Sequence, residues 1–157
     1  MRFLNQVTAK YSTIKVTHDD NEMKVELPGY GKAYGEFHDI QDEDDAMTMP
    51  PLGLDAYGDK EGRRIFQKIE DISYIFYLHG MEVNPESRAK GYGKMLLDRV
   101  EDEAKKAGVD AVMANASPMG SQQVPFVVLQ KFYTDNGYEF LTIYKSRNGL
   151  IYKRMKK

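Results

Sequence analysis

Gly91 and Gly93 stand among three cations, Arg88, Lys90 and Lys94, directly ahead of an amphipathic stretch that runs to Gly108. Glycine in a helical position costs about 1 kcal/mol relative to alanine, so two of them at a helix start need a reason. A backbone that something must approach closely supplies one. The first amides of a helix lack intrahelical partners and sit at the positive end of its dipole, so a strand–glycine turn–helix junction can hold a phosphate. The glycines let an anion reach those amides, and the three cations surround it with full charges. An ordinary helix start with surface cations would use the same residues.

Two familiar phosphate loops do not fit. A Walker A loop needs Ser or Thr after Gly-Lys, but Lys94 is followed by Met95. A dinucleotide fingerprint wants its third glycine where Leu96 stands, and it should open the first βαβ unit.

The elements that position this turn are legible in the pattern. "DISYIFYLHGMEV", apolar on both faces, predicts a doubly covered central strand ahead of the turn. Behind it, Leu96, Leu97, Val100, Ala104 and Ala107 form one helical stripe, with Glu101–Lys105 and Asp102–Lys106 spaced as ion pairs on the other face. Gly108 supplies the helix C-cap. "VDAVMANAS" reads as a buried strand, and "VPFVVLQKFYTDNG" as a helix opened by Pro125 and closed by Gly137. Two alternating runs joined by Asn148-Gly149 predict a C-terminal hairpin. Upstream, "STIKVTH", "EMKVEL" and "AYGEFHDI" read as short strands separated by turns. The stretch from Asp39 to Gly62, with its acidic run and Pro50-Pro51, reads as a long solvated loop, and "RRIFQKIE" as a short helical or extended connector.

Composition bounds the class. A chain of 157 residues is expected to form a single domain. A net charge of −2 gives no bulk electrostatic case for nucleic acid or an anionic membrane. The absence of cysteine excludes a disulfide framework, a thiolate zinc site and a thiol nucleophile, and suits the cytoplasm. No run approaches the ~20 apolar residues that span a bilayer, and no metal set is evident.

Over a longer window the spacing resembles the GNAT superfamily of N-acetyltransferases. In that family a strand ends in a V-x-P-like element and runs into R/Q-x-x-G-x-G/A and a helix, and a later helix carries L-x-x-x-Y-x-x-x-G-[FY]. Here Val83 and Pro85 precede Arg88, Gly91 and Gly93, while Leu129 precedes Tyr133 and Gly137-Tyr138. Either motif alone is common; the two in order, on the right elements, carry the resemblance from about Ile72 to the C-terminus. It implies an α/β fold with a mixed, mostly antiparallel central sheet flanked by helices. The N-terminal part departs, being strand- and loop-rich where the family usually opens with a strand and two helices. Phe126 stands where many members have Asn, beside an apparent insertion "SPMGSQQ", and Tyr77 stands where members with a carboxylate base often carry it.

The resemblance implies acetyl transfer from acetyl-CoA to a primary amine by direct attack. The coenzyme pyrophosphate would rest on the amides of Ala89, Lys90, Gly91, Tyr92, Gly93 and Lys94, aided by the Arg88 side chain. The Met81 amide would face the acetyl carbonyl and the Val83 amide the pantetheine arm. Tyr133 would support the leaving thiolate; full proton transfer from a phenol near pKa ~10 to a thiolate near ~8.5 is uphill by about 2 kcal/mol. His79, Glu82, Asp71 and Glu70 are candidates for the base that unloads the acceptor amine. A catalytically inactive coenzyme-binding module is the competing reading. The C-terminal hairpin offers an edge for a homodimer, and the acceptor is not specified.

Overall fold

A computed structural model describes residues 14–87, 90–117, 124–144 and 148–156. It opens with three antiparallel strands, β1 (Lys15–Asp19), β2 (Glu22–Leu27) and β3 (Gly31–Asp39). Period-2 alternation explains β2: Met23, Val25 and Leu27 are buried on one face, and Glu22 and Lys24 are exposed on the other. The β2–β3 turn passes through Gly29 at φ +84°, a conformation that disfavours any side chain.

The stretch expected as a long loop is instead largely helical. It contains α1 (Glu43–Thr48), a 3-10 turn (Leu54–Tyr57) and the start of α2 (Asp59–Ile69). Asp42 caps α1 by accepting from the Asp45 amide at 2.9 Å, and Glu43, Asp44 and Asp45 fill the first turn, where the dipole favours carboxylates. The acidic run is a helix N-terminus. "RRIFQKIE" is the body of α2, which buries Ile65 and Ile69.

The chain continues as β4 (Tyr74–Val83), α3 (Tyr92–Ala107), β5 (Ala111–Ala116), α4 (Phe126–Asp135), β6 (Glu139–Tyr144) and β7 (Asn148–Arg154). The sheet runs β1-β2-β3-β4-β5-β7-β6, and only β4 and β5 are parallel. This is the mixed, mostly antiparallel sheet the resemblance implied. On one face Phe76, Leu78 and the inner residues of β2 pack against Leu96, Leu97 and Val100 of α3 and Leu129 and Tyr133 of α4. On the other, Ile75, Tyr77, Met113 and Leu150 pack beneath α1 and α2. Each fully buried Leu or Ile contributes about 2 kcal/mol. Over β1–β3 this second face is polar. Among the described residues, no helix is long and apolar enough to cross a membrane.

Three local expectations are corrected. Asn148 and Gly149 do not form the hairpin turn; they open β7, pairing with Tyr144 and Ile143, and the connection at 145–147 lies outside the described residues. Gly149 answers to packing, since a Cβ there would sit 2.6 Å from the Phe140 ring and 2.7 Å from the Thr142 carbonyl. Ala107 is exposed rather than part of the α3 stripe. Glu101 is not on the solvent face: Tyr138 donates its hydroxyl to Oε2 at 2.9 Å, and Lys153 Nζ lies 2.8 Å from Oε1. This carboxylate ties α3 to β7. Glu101→Ala, which leaves a buried hydroxyl and a half-buried ammonium unpaired, is expected to cost about 2 kcal/mol. Thermal denaturation should show a fall in Tm of about 4–8 °C for a chain of this size.

Candidate functional site

Pairing between β4 and β5 covers Ile75–Leu78 and Ala111–Ala114 and stops there. From His79 onward β4 keeps β3 as its partner, while Asn115 and Ala116 of β5 stay with β7. Two parallel strands therefore part company in the middle of the sheet. At the fork the β3–β4 register shifts: Gly35 faces Leu78, Tyr34 faces Gly80, and His79 is the extra residue of a bulge. Gly35 permits this, since a Cβ there would lie 2.1 Å from the Tyr77 carbonyl. Beyond the bulge, the Asn84 amide donates to Tyr30 across the ladder. Antiparallel alternation then turns the amides of Met81 and Val83 away from β3, toward the side that β5 has left.

The mouth of the fork meets the start of α3. Gly91 is its N-cap, at φ +83° with open space where a Cβ would be, and among the described residues no side chain caps the helix. The first turn contains no acidic residue, in contrast to α1 and α2. With the first intrahelical bond running from Met95 to Gly91, no carboxylate of the first turn offsets the positive end of the dipole. Tyr92 turns its ring inward, 4.9 Å from the Tyr30 ring, which anchors the turn and leaves only its backbone at the surface side. Lys90 is exposed; Lys94 is engaged by Asp98 at 3.1 Å, which offsets part of the charge expected of it. Arg88 and Ala89 lie outside the described residues.

β4, α3 and α4 converge here. A Cβ on Gly93 would stand 3.6 Å from the Phe132 ring and 3.8 Å from the Met81 sulfur. Tyr133, next to Phe132, is 5% exposed and packs edge-on against Phe132 and Tyr138. Burial pushes its phenol up to about 12. Phe126 meets Phe140 edge-on and serves as packing where many relatives of the pattern have Asn. Tyr77 is also buried, and burial, with a smaller effect from Tyr57, pushes its phenol up to about 12.

These raised phenols have a consequence at high pH. A phenol whose pKa is raised by folding stabilises the native state fully below the unfolded value near ~10, and that stability is lost as pH rises toward ~12. Two units for each of Tyr77 and Tyr133 correspond to about 2–3 kcal/mol apiece. An alkaline titration followed at the tyrosinate absorbance should therefore show the buried tyrosines ionising together with loss of helical circular dichroism, rather than in a separate earlier step.

The base candidates separate clearly. Asp71 is paired with Arg154 at 2.7 Å, at the opposite end of β4 from the fork, and Glu70 is exposed beside it. Glu82 pairs with Lys32 at 3.5 Å. His79 stands where the fork closes, with Nε2 2.8 Å from Glu36 Oε1. His38 Nε2 approaches the same oxygen to 2.9 Å. The two imidazoles, His79 first, hold the Glu36 carboxyl below the usual carboxylate range. Glu36 is the site residue the sequence did not single out, because its partner lies 43 positions away across a register shift.

Residues 62–138 match the acetyltransferase (GNAT) family. No curated protein matches the chain in sequence. Among solved structures, the chain is similar to a GNAT-family acetyltransferase from Staphylococcus aureus, with TM-score 0.52 and 16% identity over 98% of this chain and 76% of that one. It is similar to arylalkylamine N-acetyltransferase 2 from Aedes aegypti, with TM-score 0.52 and 13% identity over 99% and 81% of the two chains. It also resembles the ribosomal-protein-S18-alanine N-acetyltransferase from Escherichia coli, with TM-score 0.51 and 11% identity over 98% and 77%. At these identities the likeness is one of fold.

Proposed function

We propose that this chain, whose residues 62–138 match the acetyltransferase (GNAT) family and whose fold is similar to that of GNAT-family acetyltransferases, moves the acetyl group of acetyl-CoA onto a primary amine by direct attack. The observation that carries this reading is the forked β4–β5 pair opening onto an uncapped glycine helix start. A fork exposes strand amides to an extended amide-bearing chain, and the helix start receives an anion at the other end of that chain. Pantetheine joined to pyrophosphate has both parts.

In this reading the amides of residues 89–94 and the side chains of Arg88 and Lys90 hold the pyrophosphate. The Val83 amide holds the pantetheine arm. The Met81 amide donates to the acetyl oxygen, where negative charge grows as the amine attacks. Tyr133 supports the departing sulfur. With its phenol near 12, full proton donation to a thiolate near ~8.5 is uphill by about 5 kcal/mol. A hydrogen bond that strengthens with thiolate charge is the role that fits.

The test is free-thiol release from acetyl-CoA across a panel of alkylamines, arylalkylamines, polyamines and peptides. At least one acceptor should raise release well above hydrolysis. Tyr77, buried at a position where relatives with a carboxylate base often carry it, is what favours the second reading, a binding module without transfer. CoA binding with no accelerating amine would establish that module instead.

A further inference from the structure

His79 is the first residue past the last β4–β5 pair, so it stands where the fork closes. Its side chain lies on the polar face of the sheet, opposite α3 and α4, against Tyr77 at 5.1 Å between ring centres. There it lines an open cleft of about 530 Å³ over β1–β3. An acyl donor lying in the fork from the α3 start would have its reacting end at this closure. α3 and α4 cover the other face and α1 and α2 cover the β4–β5 part of this one, so an acceptor must arrive through the cleft.

Glu36 determines which nitrogen of the ring is basic. An ionised carboxylate can only accept, so the 2.8 Å contact places the proton of a neutral imidazole on Nε2. Nδ1 then carries the lone pair, and it bonds to no described residue. Resting on the acyl-transfer reading above, we propose that His79 Nδ1 takes the proton of the incoming amine, with Glu36 as the residue that positions the ring. The nitrogen–carbon bond forms as the carbon–sulfur bond breaks. One proton of the ammonium passes through Nδ1 to solvent, and a second ends on the departing sulfur.

The surroundings suit an ammonium. His38 Nε2 lies 2.9 Å from the same Glu36 oxygen without the geometry of a hydrogen bond, and Asp19 and Glu22 line the same cleft from β1 and β2. The lysines of the cleft are committed elsewhere, Lys24 to Glu26 at 3.7 Å and Lys32 to Glu82 at 3.5 Å.

Two measurements test this. Long-range proton–nitrogen spectra of the CoA-bound protein, with His79 assigned by His79→Gln, should show the Nε2–H tautomer. An Nδ1–H tautomer overturns the proposal whether or not an acceptor is known. For the best acceptor of the amine panel, His79→Gln should lower kcat about 100-fold, within the range for a general base. The loss should shrink below about tenfold with the β,β-difluorinated analogue of that amine, which is largely neutral at the assay pH. Glu36→Gln should show a smaller loss with the same split. Equal losses with both amines would make His79 a structural residue, and full retention of kcat would end its role. Neither result would touch the acyl-transfer reading, which fails only if no amine is acetylated. CoA affinity and Tm should not move, since His79 is 40% exposed.

Discussion

Gly93→Asp should reduce CoA affinity at least a hundredfold, measured by calorimetry on folded protein. Gly93 is the second residue of α3, in the turn that has neither a capping side chain nor a carboxylate. A carboxylate about 5 Å from a pyrophosphate charge is repelled by about 3 kcal/mol at an effective dielectric near 20, and each further charge adds to this. Gly93→Ala separates charge from bulk. Its Cβ would meet Phe132 and Met81 at ordinary contact distances, 3.6 and 3.8 Å, and alanine is the better helix former by about 1 kcal/mol. The alanine variant should melt no lower than the parent. If it binds CoA as the parent does while the aspartate variant fails, the glycine is there to exclude charge; if both fail, close backbone approach is the reason. Unchanged affinity in Gly93→Asp would remove the anion site from this turn.

Tyr133→Phe should lower kcat by 10- to 1000-fold on a confirmed acceptor, with CoA affinity nearly unchanged. The ring fills its place between Phe132 and Tyr138 with or without the hydroxyl, so Tm should hold. The range is that of one donor aimed at developing charge. Because burial pushes the phenol up to about 12, the hydroxyl stays protonated through the working pH range and keeps its hydrogen available to the sulfur. A thioester with a more acidic thiol should therefore narrow the gap between parent and variant, since a better leaving group needs less support. Full kcat in Tyr133→Phe would make Tyr133 a packing residue.

Much of this was legible in the sequence where a single element carries the signal. Gly108 ends α3 at φ +85°, and "DISYIFYLHGMEV" is the doubly buried β4. Gly91 and Gly93 mark the helix start. What stayed hidden depends on contacts between distant segments. Nothing in the period-2 pattern of β4 reveals the bulge at His79, because a bulge is defined by the partner strand. Glu36 looked like one more outward residue of an alternating strand. Glu101 looked like half of an exposed i, i+4 pair until the C-terminal strand placed Lys153 beside it. The misread from Asp39 to Gly62 has a different cause. Its helices are short and interrupted by Pro50-Pro51, so punctuation outweighed a capping signal that Asp42 and the acidic first turn had supplied.

The position of β7 between β5 and β6 sets the order of assembly. A chain synthesised from its N-terminus forms β5 well before β7 exists. Until then the apolar strand Ala111–Ala116 has β4 on one side and an unpaired edge on the other. Such an edge is a template for pairing with other chains. β6 cannot cover it, because β6 reaches the sheet only through β7. Closure is therefore late and non-local, and it makes folding slow relative to a helical chain of this length. Ribosome-bound chains that end before Asn148 should engage chaperones, and release should follow once β7 has emerged and docked.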